Sequence, residues 1–180
     1  MNGLMEKTVI SRKNLLIFGL AAAALLFIIA GSWYKWSRGG TVTPLEVGSI
    51  ALILVVLAER AAGRYQIEAD NREIRMSKNG LFGRQKVDIS YRHIVGIYAY
   101  KAKLVGYIKF RRTHRLHSAL DGRDVWVIAY KVQPAGQKEH HERIYFKPGK
   151  EMLQYLAARM PGKVMVSENQ VILEVLNRDH

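Results

Sequence analysis

The feature that most constrains the fold of this chain is an uncharged, apolar run near its N-terminus, from Asn14 to Tyr34. A helix needs roughly 20 mainly apolar residues to cross the ~30 Å hydrocarbon layer of a bilayer, and this run has that length. A helix buried in a soluble core rarely extends so far without a polar stripe. The run therefore predicts a transmembrane helix.

Residues suited to the membrane interface flank this run on both sides. The basic residues Arg12 and Lys13 precede it, and the aromatic residues Trp33, Tyr34 and Trp36 cluster at its far end. Aromatic rings with a polar edge prefer the headgroup level, so we expect these five residues to anchor the helix. A cleaved signal peptide is the main alternative, but the run exceeds the usual 7–15 apolar residues of such a segment.

A second apolar segment, 42–62, follows a short loop. Its uncharged centre, Val47 to Ala58, is only about 18 Å long at ~1.5 Å per residue, so it spans a bilayer only with its flanks. Glu46 then lies near one interface, which we favour over a functional carboxylate inside the membrane. Spans at about 14–34 and 42–62 predict a transmembrane hairpin over residues 1–63. The basic flanks of the outer ends favour a multi-pass protein of the cell (inner) membrane with both termini cytoplasmic.

The rest of the chain predicts a soluble α+β domain. Two-residue alternation of apolar and polar side chains indicates antiparallel strands, and turns are expected at Asp70-Asn71 and Asn79-Gly80. A helical pattern from about Gly149 to Arg159 follows, and Pro161-Gly162 ends it. Docking that helix on the sheet would bury both apolar faces. The segment Val171 to Leu176 could be strand or helix. Strands are expected at 65–69, 73–78, 85–90, 95–100, 125–132 and 143–147.

Five segments combine with the two apolar runs into a specific pattern: Tyr65-Gln-Ile67, Asp70 to Ile74, Asn79 to Arg84, Ile89 to Ile94 with Gly96-Ile97, and the helix from Met152 to Met160. This pattern and order of elements resemble the bacterial pleckstrin-homology-like (PH-like) membrane proteins, in which paired membrane helices precede a PH-like domain. The resemblance implies a partly open antiparallel β-barrel capped by a C-terminal helix over residues 64–161. It implies no reaction. Residues 162–180 continue beyond the family's usual end and are expected to form a C-terminal extension.

Charge indicates what the domain contacts. The formal net charge is +13, which favours an anionic neighbour such as lipid, nucleic acid or an acidic protein. A Lys or Arg near anionic headgroups contributes about 1 kcal/mol, and the adjacent bilayer is the nearest such surface. We therefore predict contact with anionic lipid or a protein partner, which could be a second copy of the chain; an ordinary solvated surface is the alternative. Nucleic acid is not expected, since the spacing matches no RNA-binding module. The predicted contact residues are Lys101, Lys103, Lys109, Arg111, Arg112 and Arg115.

No sequence pattern indicates catalysis, a cofactor or a metal. The chain has no cysteine, phosphate-binding glycine loop, nucleophile elbow or zinc-hydrolase motif. His114, His117 and His140-His141 lie in basic surroundings and are interpreted as solvated loop residues. Asp121 and Asp124 are interpreted as turn residues. The sequence thus predicts a non-catalytic binding or scaffolding module. The alternative is a structural subunit of an envelope or secretion assembly whose basic surface binds an acidic protein.

Overall fold

The computed structural model of the protein describes residues 3–41, 43–101, 110–133 and 138–176. These ranges contain four α-helices: α1 Arg12–Ser37, α2 Pro44–Ala62, α3 Lys150–Arg159 and α4 Glu168–Leu176. They also contain eight strands: β1 Leu4–Lys7, β2 Arg64–Ala69, β3 Glu73–Gly80, β4 Gly83–Ser90, β5 Ile94–Ala99, β6 Arg112–Arg115, β7 Trp126–Val132 and β8 His140–Phe146. The α+β class expected from the sequence is confirmed.

The first sheet has the order β1-β2-β3-β4, and all its neighbours are antiparallel. The turn expected at Asp70-Asn71 is present: the Asp70 carboxylate accepts hydrogen bonds from the backbone N–H groups of Arg72 (2.7 Å) and Glu73 (3.0 Å). The tight turn expected at Asn79-Gly80 is wrong by two residues. Because Gly80 pairs with Gly83, the turn residues are Leu81 and Phe82.

The N-terminal strand β1 determines how the two long helices join the domain. It pairs antiparallel with β2, with Leu4 opposite Ala69 and Lys7 opposite Gln66. β1 leads into α1, and α2 leads into β2 after Gly63 alone. The chain therefore leaves the domain through α1 and returns through α2 at the same side. The two helices contact each other, and the Ser32 hydroxyl donates a hydrogen bond to the Glu46 carboxylate at 3.5 Å.

Within the described residues, α1 is the one helix long and apolar enough to cross a membrane by length and composition. None of its residues is buried inside the protein. It includes the first predicted span and extends it by two residues at the start and three at the end. α2 coincides with the second predicted segment, but its 19 residues do not meet the same criterion.

The second sheet has the order β5-β7-β8-β6. The β5/β7 and β7/β8 pairs are antiparallel, but β6 runs parallel to β8, with Arg112 opposite Glu142 and Arg115 opposite Tyr145. The expected antiparallel barrel is therefore wrong at β6, and the described strands form two separate sheets without a closed barrel. Alternation predicts which face a side chain occupies, but it does not specify the direction of the neighbouring strand.

One core joins both sheets to α3. Ile74 of the first sheet, Ile128 and Phe146 of the second, and Leu156 of α3 are each fully buried within it. Burying a side chain of this size contributes about 1.5–3 kcal/mol, so α3 is held mainly by its apolar face. The helix expected from about Gly149 to Arg159 is confirmed, with Gly149 as its N-cap residue.

The C-terminal segment packs on the opposite face of the second sheet. Val171 of α4 is 2% exposed and lies in a smaller cluster with Tyr98 and Tyr145. Gly96 of β5 permits this contact, since a Cβ there would lie only 2.5 Å from the Val171 side chain. The segment whose sequence fits either strand or helix is thus helical, and it covers a sheet face that would otherwise be exposed.

Candidate functional site

A cavity of about 550 Å³ lies where the last turn of α2 meets the folded domain. Small-molecule sites in proteins commonly measure about 300–1,000 Å³, so this cavity has the volume of a binding site. Its walls include the last turns of α2, the β3–β4 hairpin, and the end of β6 with the segment that follows it, and residues in or next to β2, β5, β7 and β8 complete the lining. The lining includes Val56, Arg60, Lys78, Phe82, Arg115 and His117.

Glu59 fixes one wall of the cavity. Its carboxylate accepts hydrogen bonds from the backbone N–H groups of Leu81 (2.7 Å) and Phe82 (3.4 Å), and it forms an ion pair with Lys78 Nζ at 2.6 Å. A Cβ at Gly80 would overlap this carboxylate, so glycine allows the hairpin to approach α2 closely. The tip of the β3–β4 hairpin is therefore held against the last turn of α2.

The segment 118–121 fixes the opposite wall. The Arg60 carbonyl accepts hydrogen bonds from the Ala119 N–H (3.4 Å) and the Ser118 hydroxyl (3.5 Å). The first turn of α1 is bound to the same segment, because the Asn14 side-chain amide donates to the carbonyls of Ala119 (3.3 Å) and Asp121 (3.1 Å). The domain ends of both long helices therefore share one support.

A partly buried ion-pair network holds the N-terminal segment beside this support. Asp121 is 2% exposed and pairs with Arg123 at 2.6 Å, while Arg123 also pairs with Glu6 and donates to the Lys7 carbonyl at 3.2 Å. Burial alone would raise the pKa of Asp121, but hydrogen bonds and charge from Arg123 lower it below its ordinary value. Asp121 is thus more than the turn residue expected from sequence, because it links the segment before α1 to the second sheet.

The cavity is positively charged. Among the described residues, neither Arg60 nor Arg115 has an acidic partner within ion-pair distance, whereas Lys78 is neutralised by Glu59. Burial lowers the pKa of His117, so this side chain is neutral at pH 7. The positive charge therefore comes from the two guanidinium groups, which can form paired hydrogen bonds with a phosphate or carboxylate.

Two apolar side chains project beside the cavity. Leu81 and Phe82, at the hairpin tip, are 60% and 72% exposed. Their backbone is bonded to Glu59, one turn before the end of α2, so the tip lies beside the last turn of this helix. An exposed apolar pair at the end of a long apolar helix is typical of a surface that meets lipid or a partner.

The structure separates the basic residues that the sequence grouped together. Lys101, Arg111 and Arg112 are exposed, and Arg115 lines the cavity. Because side chains alternate along β6, Arg112 and Arg115 lie on opposite faces of the sheet. The predicted contact residues Lys103 and Lys109 lie outside the described residues.

The predicted interface anchors occupy the two ends of α1. Arg12 and Lys13 are exposed at its domain end. Trp33, Tyr34 and Trp36 are 66%, 61% and 59% exposed at its far end, where the two indole rings contact edge to face at 5.2 Å. The predicted basic anchors and the predicted aromatic anchors therefore lie at opposite ends of α1.

The histidines differ from the solvated loop residues expected from sequence. His114 lies in β6, and His140 and His141 lie in β8. The buried Glu142 carboxylate is hydrogen-bonded to Tyr130 Oη (2.7 Å) and to the Nε2 atoms of His114 and His140 (3.2 Å each). The described ranges contain no group of three or more His, Cys, Asp or Glu arranged to hold a metal ion.

Sequence reasoning missed Arg60, Lys78 and the Leu81-Phe82 tip as parts of one site. The tip carried a usable signal, since two large apolar residues at a tight turn are unusual for a solvated hairpin. Arg60 and Lys78 carried none, because tertiary contacts bring them together.

No family model matches the chain, and no curated protein and no solved structure matches it. The resemblance to the bacterial PH-like membrane proteins therefore depends on sequence patterns alone.

Proposed function

We propose that the chain is a membrane-anchored, non-catalytic binding module of the bacterial PH-like type, whose cavity-bearing face lies against an anionic lipid surface. In this proposal α1 and α2 are the two membrane spans. The sheets and α3 form the PH-like domain on the cytoplasmic side of the cell membrane, together with both termini. The module acts by fixing its own position and orientation at the inner leaflet.

The observation that carries the proposal is the shared support of the two helices. β1 pairs with β2, and segment 118–121 is bonded to both Asn14 and Arg60. If α1 spans a membrane, the membrane surface would therefore lie next to this segment. Only Gly63 separates α2 from β2, so no linker would hold the domain away from the headgroups.

The charge and polarity of the same face support lipid as the contacting surface. Arg12, Lys13, Arg60 and Arg64 lie at the domain ends of the two helices, where anionic headgroups would attract them. The exposed Leu81-Phe82 tip lies beside the last turn of α2 and would enter the interfacial layer if α2 spans the membrane. The anchoring helices keep the effective lipid concentration high, so weak contacts suffice.

The experiment uses the absence of cysteine in the chain. A single cysteine at Phe82 carries an environment-sensitive fluorophore, and the full-length protein is placed in nanodiscs of phosphatidylcholine with or without phosphatidylglycerol. A label at Gln154, an exposed position in α3, serves as the control. We expect the Phe82 label to report an apolar environment in nanodiscs, more strongly with phosphatidylglycerol and less strongly at high salt.

The Gln154 label should report water under every condition. A Phe82 label that reports water in both lipid compositions would contradict the proposal.

Crosslinking in cells from Arg112 addresses the assembly-subunit alternative, since a stoichiometric acidic protein at that position would favour it over lipid contact. A second copy of the chain captured there would assign the basic surface to self-association.

A further inference from the structure

We propose that the cavity at the end of α2 binds the headgroup phosphate of a single anionic glycerophospholipid, whose acyl chains lie along α2 and the Leu81-Phe82 tip. This inference rests on the proposed function, because it requires the end of α2 to lie at the membrane surface. It adds a specific lipid-binding site to a general surface attraction.

The positive charge of the cavity indicates an anionic ligand. Arg60 and Arg115 have no acidic partner within ion-pair distance among the described residues, and Glu59 is already bound by Lys78. Arg60 comes from α2 and Arg115 from the last position of β6, so two different elements contribute arginines to the cavity lining. Two arginines without an acidic partner in one lining favour a phosphate, which can accept charge-assisted hydrogen bonds from guanidinium groups.

The polarity of the cavity changes along α2. Val56 and Arg60 are four residues apart and lie on the same face of the helix, and both line the cavity. One helical turn is about 5.4 Å long, so an apolar wall begins about one turn beyond the cation. Phe82 supplies further apolar surface from the hairpin tip. A ligand with an anionic end and an apolar end fits this gradient, whereas a free phosphate ion would use only the cationic end.

The walls are held before any ligand binds. The Glu59 carboxylate fixes the hairpin to α2, and the Arg60 carbonyl fixes segment 118–121 to the same turn. Tyr65 forms part of the cavity wall and is only 8% exposed, since it also packs in the main core. A cavity framed by such contacts loses little conformational entropy on binding.

The test measures lipid bound to the full-length protein in detergent by native mass spectrometry. Phosphatidylglycerol is titrated, and phosphatidylcholine is the reference lipid. We compare the wild type, the cavity variant R60Q/R115Q, and the control R84Q/R92Q. The control removes the same charge from two exposed residues outside the cavity lining. We expect the cavity variant to raise the apparent Kd for phosphatidylglycerol on the order of tenfold or more, because it loses charge-assisted hydrogen bonds.

The control variant should bind phosphatidylglycerol within about twofold of the wild type, since surface charge contributes little in a detergent micelle. Equal losses in both variants, or no loss in either, would overturn the inference. A second measurement does not depend on any variant. Phosphatidylglycerol with a photoreactive acyl chain should label peptides containing Val56 and Phe82, and labelling spread evenly along α1 and α2 would count against the site.

The two proposals fail in distinguishable ways. If the Phe82 fluorophore reports water, the domain does not meet the membrane and the proposed function fails. If that label reports lipid while R60Q/R115Q binds phosphatidylglycerol like the wild type, the surface contact stands and only the specific site is lost.

Discussion

The substitution Arg123→Met tests whether the N-terminal segment is held to the domain by the partly buried ion-pair network. Arg123 donates to both oxygens of Asp121, pairs with Glu6, and donates to the Lys7 carbonyl. The side chains of Arg123 and Asp121 are only 20% and 3% exposed. Methionine fills a similar volume but leaves the Asp121 carboxylate without its cation.

The magnitude follows from what remains bonded to Asp121. Breaking a buried ion pair from one side costs about 3–5 kcal/mol. In the variant the Asp121 carboxylate still accepts hydrogen bonds from two backbone N–H groups, those of Val9 (3.3 Å) and residue 123 (3.0 Å). Its negative charge therefore remains partly stabilised. Glu6 keeps the Gly149 N–H at 2.9 Å. We therefore expect a loss of about 2–4 kcal/mol, concentrated in the segment that includes β1.

Amide hydrogen exchange of full-length protein in nanodiscs measures this loss locally. If β1 opens without global unfolding, the N–H groups within Leu4–Lys7 that are hydrogen-bonded to β2 should exchange about 30- to 700-fold faster in the variant, since 1.4 kcal/mol corresponds to a factor of ten. The matched control is Arg75→Met, which breaks an ion pair with Asp70 and Glu73 at an exposed position. Exposed pairs contribute little, so the control should leave β1 exchange unchanged.

The pH dependence provides a second check. The pKa of Asp121 is lowered in the folded protein, so its contribution to stability is present above the unfolded value of about 3.9 and is lost as the pH falls through the folded value. The difference between the wild type and R123M should therefore shrink below about pH 4. Equal rates of β1 amide exchange in R123M and R75M at pH 7 would show that the Arg123 ion pairs do not hold β1 to the domain.

Two further predictions concern the second sheet. Gly96→Ala should lower the free energy of unfolding by about 1–3 kcal/mol, because the added Cβ would crowd Val171. In a protein that also carries Val171→Ala, the same substitution should cost less. An equal loss with Val171 and with Ala at position 171, measured by urea unfolding, would show that this contact is unimportant. Burial disfavours the charged form of Glu142, but hydrogen bonds from Tyr130, His114 and His140 outweigh it and lower the pKa of Glu142. The variant Glu142→Gln should therefore be less stable than the wild type at pH 7, and this difference in stability should narrow below about pH 4. Unfolding midpoints that differ by the same amount at pH 7 and pH 3 would contradict this expectation.

Local periodicity was sufficient for several elements. The apolar run Asn14 to Tyr34 predicted α1, two-residue alternation predicted β2 and β3, and the pattern ended by Pro161 predicted α3. Each of these signals lies within one element, where the spacing of apolar residues specifies the face to be buried. The basic residues between Lys101 and Arg115 were also grouped because they are close in the sequence. That grouping describes the local charge, but it does not show which of these side chains share a site.

Tertiary structure decided the features that depend on residues far apart in the chain. β1 is four residues long and gains strand character only by pairing with β2, on the other side of two helices. β6 is equally short, and its parallel direction is specified by β8. α4 is fixed as a helix by packing on β5, where Gly96 makes room for it.

The candidate site belongs to this second group. Arg60, Lys78 and Arg115 come from a helix, a hairpin and an edge strand, and no spacing in the sequence relates them. The amino-acid sequence is sufficient to predict an apolar helix and a basic α+β domain, and it contains no cysteine. Which charges share a cavity follows from tertiary contacts, because the free energy of those contacts depends on the distances between elements and not on their order along the chain.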